Sequence, residues 1–203
     1  MRIIAGCARG RILKGPKGPG IRPTSDKDKE SLFSILAGAI PGAEVLDLFC
    51  GSGALSLEAI SRGAASALLV DSGKEALSLA RSNTAVLGFH EKTKILPLRI
   101  DSKIADKLIS HGRFSVIFAD PPYAEVSPEE LLTWIRPSLM KPDGILVIEH
   151  DRRSDAPEQH DDFCRIDQRK FGDTMLSFYR VKDALASVPK PADFESPEAP
   201  SST

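Results

Sequence analysis

Between residues 45 and 148, short apolar runs alternate with longer stretches whose apolar positions recur at helical spacing. The runs at 45–49, 67–70, 94–98, 114–119 and 145–148 predict strands, because each is short and too apolar to expose either face. The stretches at 54–62, 74–87, 104–110 and 129–139 predict helices. Gly63 and Gly88 stop the first two, and Pro137 breaks the last, which carries Trp134. Strands separated by single helices predict right-handed βαβ units and a parallel sheet covered on both faces.

Both ends depart from that rhythm. Ile3-Ile4-Ala5 and Ile12-Leu13, set among glycines, predict a basic β-hairpin or arm within residues 1–22, running into a Gly/Pro loop. Pro23-Thr24-Ser25 then open a helix, with Ser25 and Asp28 at capping-box spacing. Leu32, Phe33, Leu36 and Ile40 form its apolar face, and Pro41-Gly42 end it. At the other end, strands at 164–171 and 174–181 have only Gly172-Asp173 between them, so they predict an antiparallel hairpin. Residues 183–203 offer little to bury and predict a disordered tail. The expected organisation is the arm, one α/β domain over 23–182, and the tail.

The 203 residues carry a net charge of −1, which by itself argues against a nucleic-acid partner. The distribution argues the other way. No acid precedes Asp26, while Arg2, Arg9, Arg11, Lys14, Lys17 and Arg22 do; acids gather later, between Glu149 and Asp162. Such separation focuses a local positive field that the net value hides, although a solvated basic arm has the same composition. Three cysteines, widely spaced and with no Cys-x-x-Cys pair, fit a reduced cytoplasmic protein without structural metal. No signal-peptide core is present, and no apolar stretch approaches the roughly 18 residues of a membrane span. The four histidines fall in expected loops and receive no role.

Two motifs carry chemistry. Asp120-Pro121-Pro122-Tyr123 leaves the carboxyl end of the strand at 114–119, where open α/β sheets bind ligands. Prolines donate no N–H and stiffen the loop. The loop therefore offers a carboxylate, free carbonyls and a ring, which suits a flat substrate that donates N–H, such as a nucleobase amine. The second motif, Asp47-Leu-Phe49-Cys-Gly51-Ser52-Gly53, is a strand end, a glycine turn and a helix start. Asp71 ends the next strand about twenty residues on, where an acid can hold ribose hydroxyls. NAD fits that outline, but Ser56 stands at the third glycine and Asp47 lies beneath the turn. A third acid, Asp101, follows the third strand, where it could take an adenine amino hydrogen or cap a helix. Three carboxylates at successive strand ends favour S-adenosylmethionine, a cation without phosphate. No Gly-Lys-Ser/Thr follows the turn, which excludes a P-loop.

These stretches together resemble the bacterial family that methylates a guanine N2 in small-subunit (16S) rRNA. The resemblance spans roughly residues 1–182 and rests on Arg2-Ile-Ile-Ala-Gly6 with Arg9-Gly10-Arg11, on Arg22-Pro23-Thr24 with Glu30-Ser-Leu-Phe33, on Asp47–Leu55 with Glu58-Ala59, and on Asp120–Tyr123. It implies a Rossmann-like class I methyltransferase: a mostly parallel seven-stranded sheet with an antiparallel last strand. It implies Asp120, Pro121, Pro122 and Tyr123 as catalytic residues, with Asp120 and the Pro121 carbonyl holding the amine and Tyr123 stacking on the base. Asp47, Phe49, Gly51, Ser52, Gly53, Asp71, Ser72, Asp101 and Ser102 would bind the cofactor, leaving S-adenosylhomocysteine as product. Arg9, Arg11, Lys14, Arg22 and Thr24 would contact RNA. The implied partner is 16S rRNA in an assembling small subunit, met by a monomer, with no metal and no membrane. Two alternatives stay open. Asp-Pro-Pro-Tyr serves any exocyclic amine, including adenine N6 in DNA, though the chain has no room for a target-recognition domain. A ribosome-assembly factor that binds the cofactor without transferring methyl is the other.

Overall fold

A computed structural model describes residues 1–16, 26–122 and 125–182. The expected tail at 183–203, Lys17, Arg22, Thr24, the cap at Ser25 and Tyr123 lie outside the described residues. Each apolar run between residues 45 and 148 becomes a strand. The first half of the domain is α1 (Asp26–Ile35), β1 (Glu44–Leu48), α2 (Ala54–Ser61), β2 (Ser66–Asp71), α3 (Lys74–Leu87) and β3 (Thr93–Pro97). The second half is α4 (Ile104–Leu108), β4 (Phe114–Ala119), α5 (Pro128–Trp134), β5 (Met140–Asp151), β6 (Gln159–His160), β7 (Phe163–Phe171) and β8 (Thr174–Val181). The sheet order is β3-β2-β1-β4-β5-β8-β7-β6. The first five strands run parallel, and β8 inserts antiparallel to β5.

Several details differ from the sequence-based expectation: α1 ends at Ile35, short of the expected stop at Pro41-Gly42, and His160 lies in β6 rather than in a loop. The described sheet has eight strands rather than seven, the extra one being two-residue β6 paired to the start of β7. β5 spans twelve residues. A register shift lets it accommodate Pro142-Asp143-Gly144 before Ile145, and past Ile148 it continues because Glu149, His150 and Asp151 pair with β8. His150 is therefore buried in a strand, its Nε2 2.9 Å from Ser177 Oγ, rather than in a loop. Helix α5 ends at Trp134, because Ile135 turns extended two residues before Pro137.

Side chains alternate across the sheet, as strand pleating dictates. Val45, Phe118, Val147 and Phe178 face α1, α2 and α3 through Leu32, Phe33, Ala59, Ile60 and Ala80. Leu46, Leu48, Ile117, Ala119 and Ile148 face α4 and α5 through Ile104, Leu108, Leu131 and Leu132. From β1 the chain winds outward to β3, then returns to β4 on the other flank of β1. This reversal opens a crevice at the carboxyl ends of β1 and β4, the place where doubly wound sheets bind ligands.

Candidate active site

Beyond Leu48 the backbone turns left-handed at Phe49 (φ 61°), Gly51 (φ 53°) and Gly53 (φ 77°) before entering α2. For Phe49 this conformation costs about 1–2 kcal/mol, and such strain collects at functional turns. A Cβ on Gly53 would stand 2.8 Å from Leu69 Cδ2, so glycine lets α2 pack closely on β2. Asp71 ties the turn to its neighbour: Oδ2 accepts Gly51 N–H at 3.0 Å and Oδ1 accepts Gly73 N–H at 2.8 Å. Each oxygen keeps lone-pair capacity for a ligand hydroxyl. Ser72 is exposed beside it, and Ser52 is half-buried in the turn.

Asp47 is not at the surface of this turn. It is 3% exposed, beneath the start of α2, where its Oδ2 accepts Ser56 Oγ–H at 2.7 Å and Ser56 N–H at 3.3 Å. Removal from water pushes its carboxyl up to about 7; the Ser56 bonds oppose the rise and the Asp71 charge adds to it. The anion position at this helix N-terminus is thus filled by the chain's own carboxyl. With Asp71 close by, the turn fits a ligand with hydroxyls and positive charge and fits a pyrophosphate poorly. Asp101 is already paired: Lys107 Nζ donates to both oxygens at 2.8 and 3.0 Å, and Lys103 N–H donates at 3.0 Å. Lys107 holds the Asp101 carboxyl below the usual carboxylate range. An adenine amino group would share an acid that already accepts from Lys107 and from the Lys103 backbone, just ahead of α4. Ser102 is exposed next to it.

On the other side of the crevice, Ala119 pairs with Leu48 and Ile148, and Asp120 follows at the strand end. Asp120 lines a narrow cleft with Glu149 at the end of β5. Its walls are apolar: Leu32 of α1, Leu55 of α2, and Phe171 and Leu176 of the β7–β8 hairpin. Pro121 is buried and Pro122 exposed. The two sequence motifs thus meet on neighbouring strands. Leu32, Leu55, Glu149, Phe171 and Leu176 were not among the sequence-based candidates.

The amino-terminal segment is no free arm. It has one antiparallel bridge, Arg2 to Ile12, and it docks on α2. Buried Glu58 accepts Ile4 N–H at 2.8 Å and Ala5 N–H at 3.0 Å, and also binds Arg62 and buried Lys29. Ser61 O accepts Cys7 N–H at 2.8 Å. A Cβ on Gly6 would stand 1.8 Å from that same oxygen, so only glycine allows this approach. The docking orders the basic side chains: Arg11 Nη2 donates to Val86 O at 2.6 Å and Lys14 Nζ to Ser82 Oγ at 3.0 Å, while Arg9 is exposed. Asn83 of α3, buried, joins segment and turn. Its Nδ2 donates to Lys14 O and Ser52 O, each at 2.9 Å, and its Oδ1 accepts Lys14 N–H at 2.8 Å. Nothing in the sequence distinguishes Asn83 beyond its place in an amphipathic helix. Among the described residues, no cluster of His, Cys, Asp and Glu could hold a metal ion, and no helix is long and apolar enough to cross a membrane.

Residues 1–180 match the family model described as "Conserved hypothetical protein 95". The chain is 35% identical over 183 residues to "Putative rRNA methyltransferase YlbH" of Bacillus subtilis, covering 90% of this chain and all of that one. It is 37% identical over 147 residues to "Ribosomal RNA small subunit methyltransferase D" of Escherichia coli K12, covering 72% of each chain. Its fold matches the solved structure of "Putative methyltransferase yhhF" from Escherichia coli with a TM-score of 0.75 at 29% identity, over 90% of this chain and 98% of that one.

Proposed function

The chain belongs to the Conserved hypothetical protein 95 family, which includes the small-subunit rRNA methyltransferase D proteins, and we propose that it transfers a methyl group from S-adenosylmethionine to the exocyclic N2 of one guanine in 16S rRNA, on an assembling small subunit. One observation carries the reading: the glycine turn of β1 and the Asp120-Pro121 loop of β4 flank the same crevice on paired strands, Leu48 beside Ala119.

The turn's chemistry supports the cofactor. Asp71 is the acceptor for its ribose hydroxyls, and Asp47 and Asp71 make the pocket favourable to a cation and unfavourable to phosphate. When bound, S-adenosylmethionine supplies an electrophilic methyl on a sulfonium and leaves as S-adenosylhomocysteine. Guanine N2 is a weak nucleophile, its lone pair being delocalised into the ring. Asp120 and the Pro121 carbonyl each accept one of its N–H groups, which aims the lone pair and stabilises the positive charge that grows on nitrogen; once the methyl has moved, the Asp120 carboxylate takes one of these protons and N2 returns to neutral. The target base leaves its stack to enter between apolar walls, and Tyr123 stacks on it. Arg9, Arg11, Lys14 and Arg22 neutralise phosphates, making binding salt-dependent.

The test is transfer of labelled methyl to small subunits from cells lacking this protein, beside free rRNA and DNA, with the product nucleoside identified by mass spectrometry. N2-methylguanosine at one position, on subunits only, is expected. N6-methyladenine in DNA would move the site to another substrate. Cofactor binding without any transfer would make the protein a binding-only factor.

A further inference from the structure

The second carboxylate of the acceptor cleft has no part in the chemistry above. Glu149 reaches the cleft through strand register. Phe118 pairs with Val147 and Ala119 with Ile148, so Asp120 and Glu149 come next, side by side at the carboxyl edge. Pleating puts both on the face that Phe118 and Val147 share, toward α1 and α2. Both line the cleft whose walls are Leu55 and Phe171. Glu149 is also aimed: its Oε1 accepts the Thr174 hydroxyl at 2.9 Å from the facing strand. Thr174 Oγ1 lies 2.9 Å from Phe171 O as well, which ties this support to the apolar wall.

We propose that Glu149 is the base-reading residue of this site: it accepts N1–H of the target guanine while Asp120 holds the neighbouring N2 amine. The inference rests on the methyltransfer reading above and adds to it the basis of base choice. Guanine is the base that presents an amine and a ring N–H side by side on its pairing edge. Adenine and cytosine present an amine beside a ring nitrogen lone pair. That lone pair would face the Glu149 carboxylate, an acceptor against an acceptor, between apolar walls. A site built to receive a hydrogen bond rejects an analogue that lacks the donor far more strongly than an apolar pocket rejects a change of shape. The pair of carboxylates thereby selects guanine both by attraction and by repulsion of its competitors.

The experiment uses small subunits reconstituted with guanine or 2-aminopurine at the methylated position. 2-Aminopurine keeps the reacting amine but replaces N1–H with a lone pair. The full chain and Glu149→Gln are compared by kcat/KM on both, with cofactor binding measured on each protein as a control for folding. The native chain is expected to prefer guanine by about 100-fold or more. In Glu149→Gln, whose amide can donate to the lone pair and still accept from Thr174, the preference should fall below about tenfold. An unchanged preference in Glu149→Gln overturns the assignment, as does a native chain that uses both bases equally. Failure of the native chain on guanine itself would strike the methyltransfer reading instead, so the two are separable.

Discussion

The end of β1 is a turn held rigid by its own backbone and two acids; the ends of β4 and β5 present a cleft lined by side chains from several elements. The β1 turn is locked before any ligand arrives: three left-handed residues, Gly51 and Gly73 bonded to Asp71, and Ser56 bonded to Asp47. The acceptor cleft is assembled from α1, α2, β4, β5 and the β7–β8 hairpin, and among the described residues two carboxylates stand between its aliphatic and aromatic walls. Under the proposed reaction, the first side would bind the cofactor through a fixed shape. In that same reaction the second would discriminate among bases, with a selectivity set by single side chains that lie outside the turn.

Asp120→Ala separates the two sides most sharply. Turnover should fall by about 10²–10³-fold, the usual loss when a group stabilising transition-state charge is removed. Cofactor affinity should survive, because the β1 turn is held by bonds of its own, Gly51 and Gly73 to Asp71 and Ser56 to Asp47. Rapid-quench turnover beside equilibrium cofactor binding reads both. Loss of both together would mean that the two sides are one folding unit.

That division also explains what the sequence disclosed. The β1 turn is written within ten consecutive residues, Asp47 to Ser56, and its acid partner Asp71 follows at a regular interval, so spacing alone revealed it. The cleft brings Leu32 to within reach of Leu176, more than a hundred residues apart, and only tertiary packing joins them. Glu149 read as the first of a run of acids, whereas strand register makes it the neighbour of Asp120. The docked arm was hidden for a similar reason: Glu58 and Ser61 look like ordinary helix residues until the Gly6 backbone lies against them. Asp47 was legible as a site acid but not as a buried one, since burial depends on how α2 caps the strand.

Asp47 gives the next largest effect, on the turn side. Its carboxyl titrates near 7 folded and near 3.8 unfolded, so the folded chain holds the proton more tightly. Stability from this group is therefore full below about pH 4 and is lost as pH rises toward 7. Between pH 5 and pH 8 the loss amounts to roughly 2–3 kcal/mol, at about 1.4 kcal/mol per pH unit up to the folded pKa. Asp47→Asn removes the titration. Urea unfolding at the two pH values should show a variant that gains on the native chain by that amount at the higher pH. A constant difference at both would mean that Asp47 stays ionised and compensated throughout.

The smallest of these effects tests whether the turn's shape, apart from its charges, matters to binding. Gly53→Ala keeps every acid in place but forces a Cβ into left-handed backbone at φ 77°, 2.8 Å from Leu69 Cδ2. The backbone term is about 1–2 kcal/mol, and Leu69 can yield because the clash falls on the end of a flexible side chain. Unfolding free energy should drop by about that much. Cofactor affinity should weaken by about tenfold as the entry to α2 shifts, while kcat at saturating cofactor stays within a few-fold of native, since Asp120 and Glu149 are held by other strands. A fall in kcat with unchanged affinity would reverse the assignment of roles between the two sides, making the turn's shape a requirement of the chemistry and not of binding.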